Sequence, residues 1–320
     1  MTGAESRTEA PVWAGLLPVD KPTGMTSHDV VARARRVLRT RAIGHLGTLD
    51  PGASGLLVLA VGPATRCASV WQGGAKTYAG RLRLGVVTSS QDLDGEVLAT
   101  SEVSATEAEV RAASLALTGD LLQVPPMVSA LKHQGERLYD IARRGGTVDR
   151  EPRAIRVDSW EWREFALPEA SFVVRCSGGT YVRTLAHDLG ALLGCGAALA
   201  ALRRLGSEPF SIERACPWAE MLPGEGDAVL ARHGVPLHEA LGVLPAVVLD
   251  PAQADSLGHG RRILLAPGAA PVDGGPRTVV LRDEGGRALA LGELKAAEAG
   301  LALACPNVVF PWAVREGRAA

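Results

Sequence analysis

Apolar residues recur along the chain in two periods, and the change from one to the other marks out the elements. After Thr26 or Ser27, either of which can cap a helix, Val30, Ala34, Val37 and Leu38 fall at i, i+4, i+7 and i+8, which predicts an amphipathic helix. Leu56 to Val61 is an unbroken apolar run, as expected of a strand buried on both faces. Thr77 to Val86 alternates instead, with Tyr78, Leu82, Leu84 and Val86 on one face and Arg81 and Arg83 on the other. Glu107 to Leu117 and Glu136 to Arg144 read as helices, the second ended by Gly145-Gly146. Phe172 to Cys176 predicts a strand that turns at Gly178-Gly179 into a helix carrying Leu185, Leu189 and Leu192 on one stripe. These elements describe a mixed α/β body without internal repeats.

The pattern changes around Met221 to Asp227. From about Val248 onward, Asp250-Pro251, Leu257 to Arg262, Thr278 to Leu281 and Leu289 to Leu294 read as short segments punctuated by glycine and proline, the composition of a small β-barrel. A length of 320 residues fits one large or two ordinary domains. At the other end, Met1 to Ala10 has no apolar run and reads as a tail, so residues 1–12 are expected to be disordered. No apolar run reaches membrane-spanning length, and no membrane contact is expected.

Charge adds local rather than global information. The formal net charge is −1, but the segment from Val31 to Leu49 holds five arginines (Arg33, Arg35, Arg36, Arg39 and Arg41) and no acid. A second cluster, Arg137, Arg143, Arg144, Arg150, Arg153 and Arg156, has three acids among it. Solvated helix faces and contacts to nucleic-acid phosphates both fit such ridges. The five cysteines are scattered, with no C-x-x-C pair and no His/Cys cluster at ligand spacing, so no metal site is expected. An odd count without a signal peptide points to reduced thiols in the cytoplasm.

The candidate chemistry sits in Gly44-His45-Leu46-Gly47-Thr48-Leu49-Asp50-Pro51-Gly52-Ala53-Ser54-Gly55, which has four glycines in twelve residues and one carboxylate. Glycines at this density allow positive φ and close backbone approach to a ligand, and the turn leads straight into the apolar run from Leu56. An ordinary capping or Asx-turn aspartate is the structural alternative for Asp50.

Several ordered blocks resemble the bacterial TruB-type tRNA pseudouridine synthases. They are Asp20 to Ser27, the Asp50 loop, Lys76-Thr77-Tyr78, Leu84 to Thr88 with Asp92 to Glu96, Gln123 to Pro126 with Ser129 to Lys132, then Gly135 and Leu138-Tyr139, Cys176 to Leu185, and Leu202-Arg203-Arg204. Together they cover roughly residues 15–210. The resemblance implies an α+β fold, with a central mixed or antiparallel sheet flanked by helices and loops. It also implies a catalytic domain over residues 13–245, an RNA-binding insertion at about 124–152, and a β-barrel-like PUA domain over 246–320. The implied activity is isomerisation of uridine 55 in the T-arm loop of tRNA, by a cytoplasmic monomer with no cofactor and no metal.

By the same resemblance, Asp50 is the nucleophile and Arg183 the guanidinium beside it, whose planar fork can hold both carboxylate oxygens. Tyr78 stacks on the flipped uracil and can transfer a proton, although a core aromatic is the plain alternative. His45 fills the gap left by the flipped base, or bonds its own turn. Lys21 contacts phosphate or supports the Asp50 loop, Asp92 orders the pocket, and Leu202 forms an apolar wall. Arg33, Arg36 and Lys132 are RNA contacts. Val128 departs from the family, which usually has an aromatic there. Two rival readings are a synthase acting on another RNA and a non-catalytic RNA-binding folding helper; the helper would be indifferent to Asp50. Deleting the chain from about Val248 is expected to weaken RNA affinity and leave turnover.

Overall fold

The computed structural model describes residues 13–129, 131–266 and 277–314. The tail expected over residues 1–12 lies outside them. The first strand, β1 (Gly15–Lys21), runs into α1 (Ser27–Val37). Thr26 caps α1 in a reciprocal box with Asp29, and Val30, Ala34 and Val37 are buried as the spacing predicts. After β2 (Ile43–His45) comes the Asp50 loop, then β3 (Ser54–Val61), buried along almost its whole length. A short α2 (Ser69–Gln72) leads to β4 (Lys76–Leu84), whose alternation is as expected up to Leu84. Gly85, at φ +80°, breaks the strand before β5 (Val86–Thr88), which pairs with β6 (Val97–Thr100).

Helix α3 (Glu107–Ala116), β7 (Gly119–Gln123), a two-residue ladder of β8 (Lys132–His133) with β9 (Glu136–Arg137), and α4 (Leu138–Arg143) follow. The helix expected from Glu136 therefore starts two residues later, because the ladder takes its first turn. Then come β10 (Arg153–Ala166), β11 (Glu169–Cys176), α5 (Val182–Leu192) and β12 (Ala197–Ser207). Leu185 and Leu189 of α5 are buried, but Leu192 is 56% exposed, so the apolar stripe ends a turn early.

These strands form one mixed sheet in the order β14-β1-β3-β12-β4-β11-β10-β7, where β14 is Cys216–Pro217. β13 (Phe210–Ser211) and β15 (Val235–Pro236) attach at β12 and β1, and α6 (Gly226–His233) lies between β14 and β15 in the chain. β3 sits between an antiparallel β1 and a parallel β12, covered on both sides, which is why its run is continuously apolar. Gly55 is at φ +100°, and a Cβ there would lie 2.3 Å from the carbonyl oxygen of Arg204. Among the four glycines of the loop this is the one with positive φ, and its close approach is to β12 rather than to a ligand.

Beyond α7 (Leu237–Ala240), a second sheet has the order β16-β18-β19-β20-β17: β16 is Ala246–Val248, β17 Ile263–Leu265, β18 Arg277–Arg282, β19 Ala288–Ala296 and β20 Ala302–Val309. Leu257, expected among short strands, lies in α8 (Pro251–Gly258), because Asp250 and Gln253 form a capping box around Pro251. A single buried cluster joins the two sheets: Leu16, Leu56, Val58, Leu237 and Leu241 pack with Val280, Leu291 and Phe310. Arg66 and Arg282 add hydrogen bonds to the carbonyls of Val309 and His238, at 3.1 Å each.

Cutting the chain before Val248 therefore uncovers apolar residues of the first sheet, including two of the strand that follows Asp50. The truncated protein is expected to melt lower and to lose soluble yield before any change in RNA affinity can be read. Phe310→Ala, the graded version, is expected to cost about 3–5 kcal/mol in urea denaturation. A truncation that melts with the full chain would remove this shared core from the account of stability.

Candidate active site

The Asp50 loop is held from three sides. Ser27 Oγ donates to the Leu49 carbonyl at 3.0 Å and accepts from the Leu49 amide at 2.8 Å. The Lys21 ammonium is fully buried and donates to the carbonyls of Pro22 (3.0 Å), Met25 (2.8 Å) and Pro51 (3.4 Å). From β12, Arg204 donates through Nε to Leu56 (2.6 Å), Nη2 to Gly47 (3.1 Å) and Nη1 to Thr48 (3.4 Å), all backbone carbonyls. Of the two roles open to Lys21, the structure leaves no solvent-facing surface for phosphate and places it as a prop under the loop.

Asp50 Oδ2 accepts from Arg183 Nε at 2.9 Å, with the carboxylate 42% exposed and the guanidinium 4%. Arg183 lies in the first turn of α5. Its Nη1 donates to the Ser90 carbonyl (2.8 Å) and its Nη2 to the Val128 carbonyl (2.9 Å). The fork expected to hold both oxygens of Asp50 is thus committed to backbone, and a single N–H reaches the carboxylate. That same Nε is 3.7 Å from Asp92 Oδ2. The bidentate pair occurs elsewhere: Arg203 holds both oxygens of Asp20, at 3.0 and 2.7 Å. Arg203 and Arg204 are adjacent in a strand and point to opposite faces, one to a half-exposed aspartate and the other into the core.

Asp50, Asp92, Arg183, Leu93, Val128 and Leu202 line a cavity of about 340 Å³. Asp92 accepts through Oδ1 from Ser90 Oγ and from the Asp94 amide, which fixes it against the wall. Leu202 supplies an apolar wall, and Val128, the departure noted in the sequence, lines the cavity and anchors Arg183 through its carbonyl.

The remaining expected residues lie around this centre. Tyr78 is buried in the core and its side chain does not line the cavity. Burial pushes its phenol pKa up, against the pull of the Arg204 guanidinium. His45 ends β2, its Nδ1 buried without a partner among the described residues, and burial lowers its pKa, helped by the charge on Arg204. The imidazole is therefore neutral at pH 7. On α1, Arg36 is exposed and Arg33 lies over the Trp218 ring at 5.5 Å, while Arg35 turns inward to the Ile43 carbonyl at 3.0 Å. The Lys132 side chain lies outside the described residues. In the second basic cluster Arg156 is paired with Asp120 and Asp158.

Arg204 and Ser27 are the residues that sequence reasoning missed as parts of this site. The signal for Arg204 was present: a second arginine in a strand flanked by apolar residues faces inward. The chain also brings together Cys216, Glu220 and His233, with their donor atoms within 4.8 Å of one another. Glu220 Oε2 is already shared by Arg232 (3.0 Å) and His233 (3.1 Å), which ties α6 to the short turn Trp218–Glu220 that follows β14.

Burial of two lysines sets a pH dependence. It pushes Lys21 and Lys76 down to about 8 from 10.5, with Arg204 adding to the effect at both. Below pH 8 both are protonated in the folded and the unfolded chain, and the folded chain carries the full cost of burying the ammonium groups. Above it the folded chain releases protons that the unfolded chain keeps, so stability rises with pH. An opposing contribution sets in as the unfolded thiols ionise, from about pH 8.5 upward, because burial raises the thiols of Cys67, Cys176 and Cys216 to about 11. Between pH 7.5 and 8.5 urea denaturation is expected to show a net gain on the order of 1 kcal/mol. The gain should vanish in a Lys21→Met, Lys76→Met double variant; a loss of stability across this window in the wild type would refute the assignment.

Residues 35–182 match the family described as TruB family pseudouridylate synthase (N terminal domain), and residues 183–233 match the tRNA pseudouridylate synthase B C-terminal domain. A tRNA pseudouridine synthase B of Opitutus terrae is 57% identical over 199 residues, covering 62% of this chain and 83% of that protein. Another, of Burkholderia mallei, is 45% identical over 262 residues, covering 81% of this chain and 85% of that protein. The fold matches a crystal structure of a Cbf5-Nop10-Gar1 complex with a TM-score of 0.66 at 26% identity, covering 89% of this chain and 79% of that one. No helix among the described residues is long and apolar enough to cross a membrane.

Proposed function

Because the chain belongs to the TruB family of pseudouridylate synthases, we propose that it isomerises uridine 55 in the T-arm loop of tRNAs, with Asp50 as the nucleophile. Formation of pseudouridine breaks the C1′–N1 bond, turns the base and joins C1′ to C5, whose proton is then lost. Nothing is oxidised or hydrolysed overall, so the reaction draws on no cofactor. It needs a fixed carboxylate to attack an electron-poor carbon, and walls that keep water from the detached base.

The observation that carries this reading is the Arg183–Asp50 contact at the edge of the cavity. Two of the three nitrogens of Arg183 are committed to backbone, so the third is a fixed donor that meets one oxygen of the Asp50 carboxylate before substrate arrives. Leu93, Val128 and Leu202 are suited to flank the uracil. Tyr78, one strand away, serves proton transfer more readily than stacking, given its burial. Extruding a uridine from a folded loop costs a few kcal/mol, and the neutral ring of His45 is suited to fill the space it leaves. Arg33 and Arg36 follow the RNA backbone, and the T arm is recognised by shape.

In this reading residues 13–245 form the synthase, with the segment at about 124–152 facing the T arm, and residues 246–320 form a PUA-like module. The enzyme works as a monomer in the cytoplasm. The test is an unmodified tRNA transcript, with pseudouridine mapped by position and RNA binding measured in parallel. Product at position 55 supports the reading. Product elsewhere overturns the site, and binding without product overturns the enzyme in favour of an RNA-folding helper.

A further inference from the structure

We propose that Arg204 is a positioning residue that fixes the Asp50 loop and Tyr78 relative to each other, so that the two act on one nucleotide. The inference rests on the functional reading above. Its observations are separate from those that define the cavity.

Arg204 is 3% exposed, and among the described residues it has no carboxylate partner. An arginine buried with carbonyls alone is costly, and a site that needed only packing would be served by a long apolar side chain. What the guanidinium gains is reach. Gly47 and Thr48 precede Asp50 and Leu56 follows it, so one planar group grips the loop on both flanks of the carboxylate. The backbone of the same residue is paired to Gly55, on the loop's exit, and to Tyr78, on the neighbouring strand. Its charge also reaches the Tyr78 hydroxyl, where it favours the ionised phenol. Arg204 thus grips the loop that carries Asp50 and stands beside Tyr78 in the sheet, while lying outside the cavity itself.

The test compares wild type with Arg204→Met and Arg204→Lys on an unmodified tRNA transcript, with the folded fraction of each counted by thermal melting. Since a displacement of about 1 Å can cost about 100-fold in rate, kcat per folded molecule is expected to fall about 100-fold in Arg204→Met. In Arg204→Lys, where an ammonium can serve part of the carbonyl set, the expected loss is about tenfold. KM is expected to stay within about twofold, because Arg204 presents no surface to RNA.

A second readout does not depend on turnover. The ionisation of Tyr78, taken as the difference between each protein and its Tyr78→Phe counterpart, should move to higher pH in Arg204→Met. Should Arg204→Met fail to fold, Arg204→Lys decides alone. Wild-type kcat per folded molecule in Arg204→Lys, or an unmoved phenol in Arg204→Met, would overturn the proposal. If the wild type makes no product, the functional reading is what fails, and the phenol titration still judges Arg204.

Discussion

Asp50→Asn is expected to lower pseudouridine formation by on the order of 10⁴-fold or more while leaving tRNA affinity within a few-fold of wild type. The substitution keeps shape and an acceptor oxygen for Arg183 Nε, so the loop and the cavity should survive it. The lost capacity is a full negative charge able to form a bond to carbon, which an amide does not supply at neutral pH. Affinity is expected to persist because Arg33 and Arg36, the RNA contacts of this reading, lie on another element, α1. Position-resolved mapping and filter binding on one transcript read both quantities together. Turnover in Asp50→Asn near the wild-type rate would remove Asp50 as the nucleophile, whatever the position of the product.

Arg183→Met should be the second most damaging change, and for two separable reasons. The carboxylates of Asp50 and Asp92 both lie within 3.7 Å of Arg183 Nε, so removing the cation leaves two like charges on the cavity wall without their shared partner. The Ser90 and Val128 carbonyls lose their donors as well, which frees the segments that carry Asp92 and Val128. A rate loss on the order of 10³-fold is expected, comparable to deletion of an oriented donor at a reacting centre. The stability loss should be smaller, about 1–3 kcal/mol, because Asp50 is 42% exposed and its charge is partly screened by water. Arg183→Lys should recover stability better than rate, since an ammonium cannot serve a carboxylate and two carbonyls in one plane. The check is kcat and thermal melting on all three proteins; a wild-type rate in Arg183→Met would show that Asp50 needs no such orientation.

Arg183 and Arg204 show where reading along the chain stops. Both stand in motifs that are plain in the sequence, and the partnership of Arg183 with Asp50 was expected. Its geometry was not: the expected fork grips backbone, and the two-oxygen grip belongs to Arg203 on Asp20. Lys21 is a similar case: phosphate contact and support for the Asp50 loop were both open to it, and in the folded chain three carbonyls enclose it. The alternation that put Tyr78 on the apolar face was sound, and so was the pull of that face toward the core. Leu192 and Leu257 mark the failures of periodicity, one where a helix outruns its cover and the other where a capping box around Asp250 outweighs local composition.

By itself the sequence determined the elements, their apolar faces, the presentation of Asp50 in a turn between strands, and the family blocks that surround it. These depend on local spacing and backbone freedom, which a chain carries wherever it folds. The tertiary structure alone decided which donor meets which acceptor. Hydrogen bonds between β12, the Asp50 loop, the Ser90 segment and α5 join residues up to 157 positions apart, and their geometry is set by sheet order and register. The same long-range packing joined the second sheet to the first through one apolar cluster, across the change of composition along the chain. Local sequence cannot encode that choice, because an apolar face specifies that it will be covered and leaves the identity of its cover to the rest of the fold.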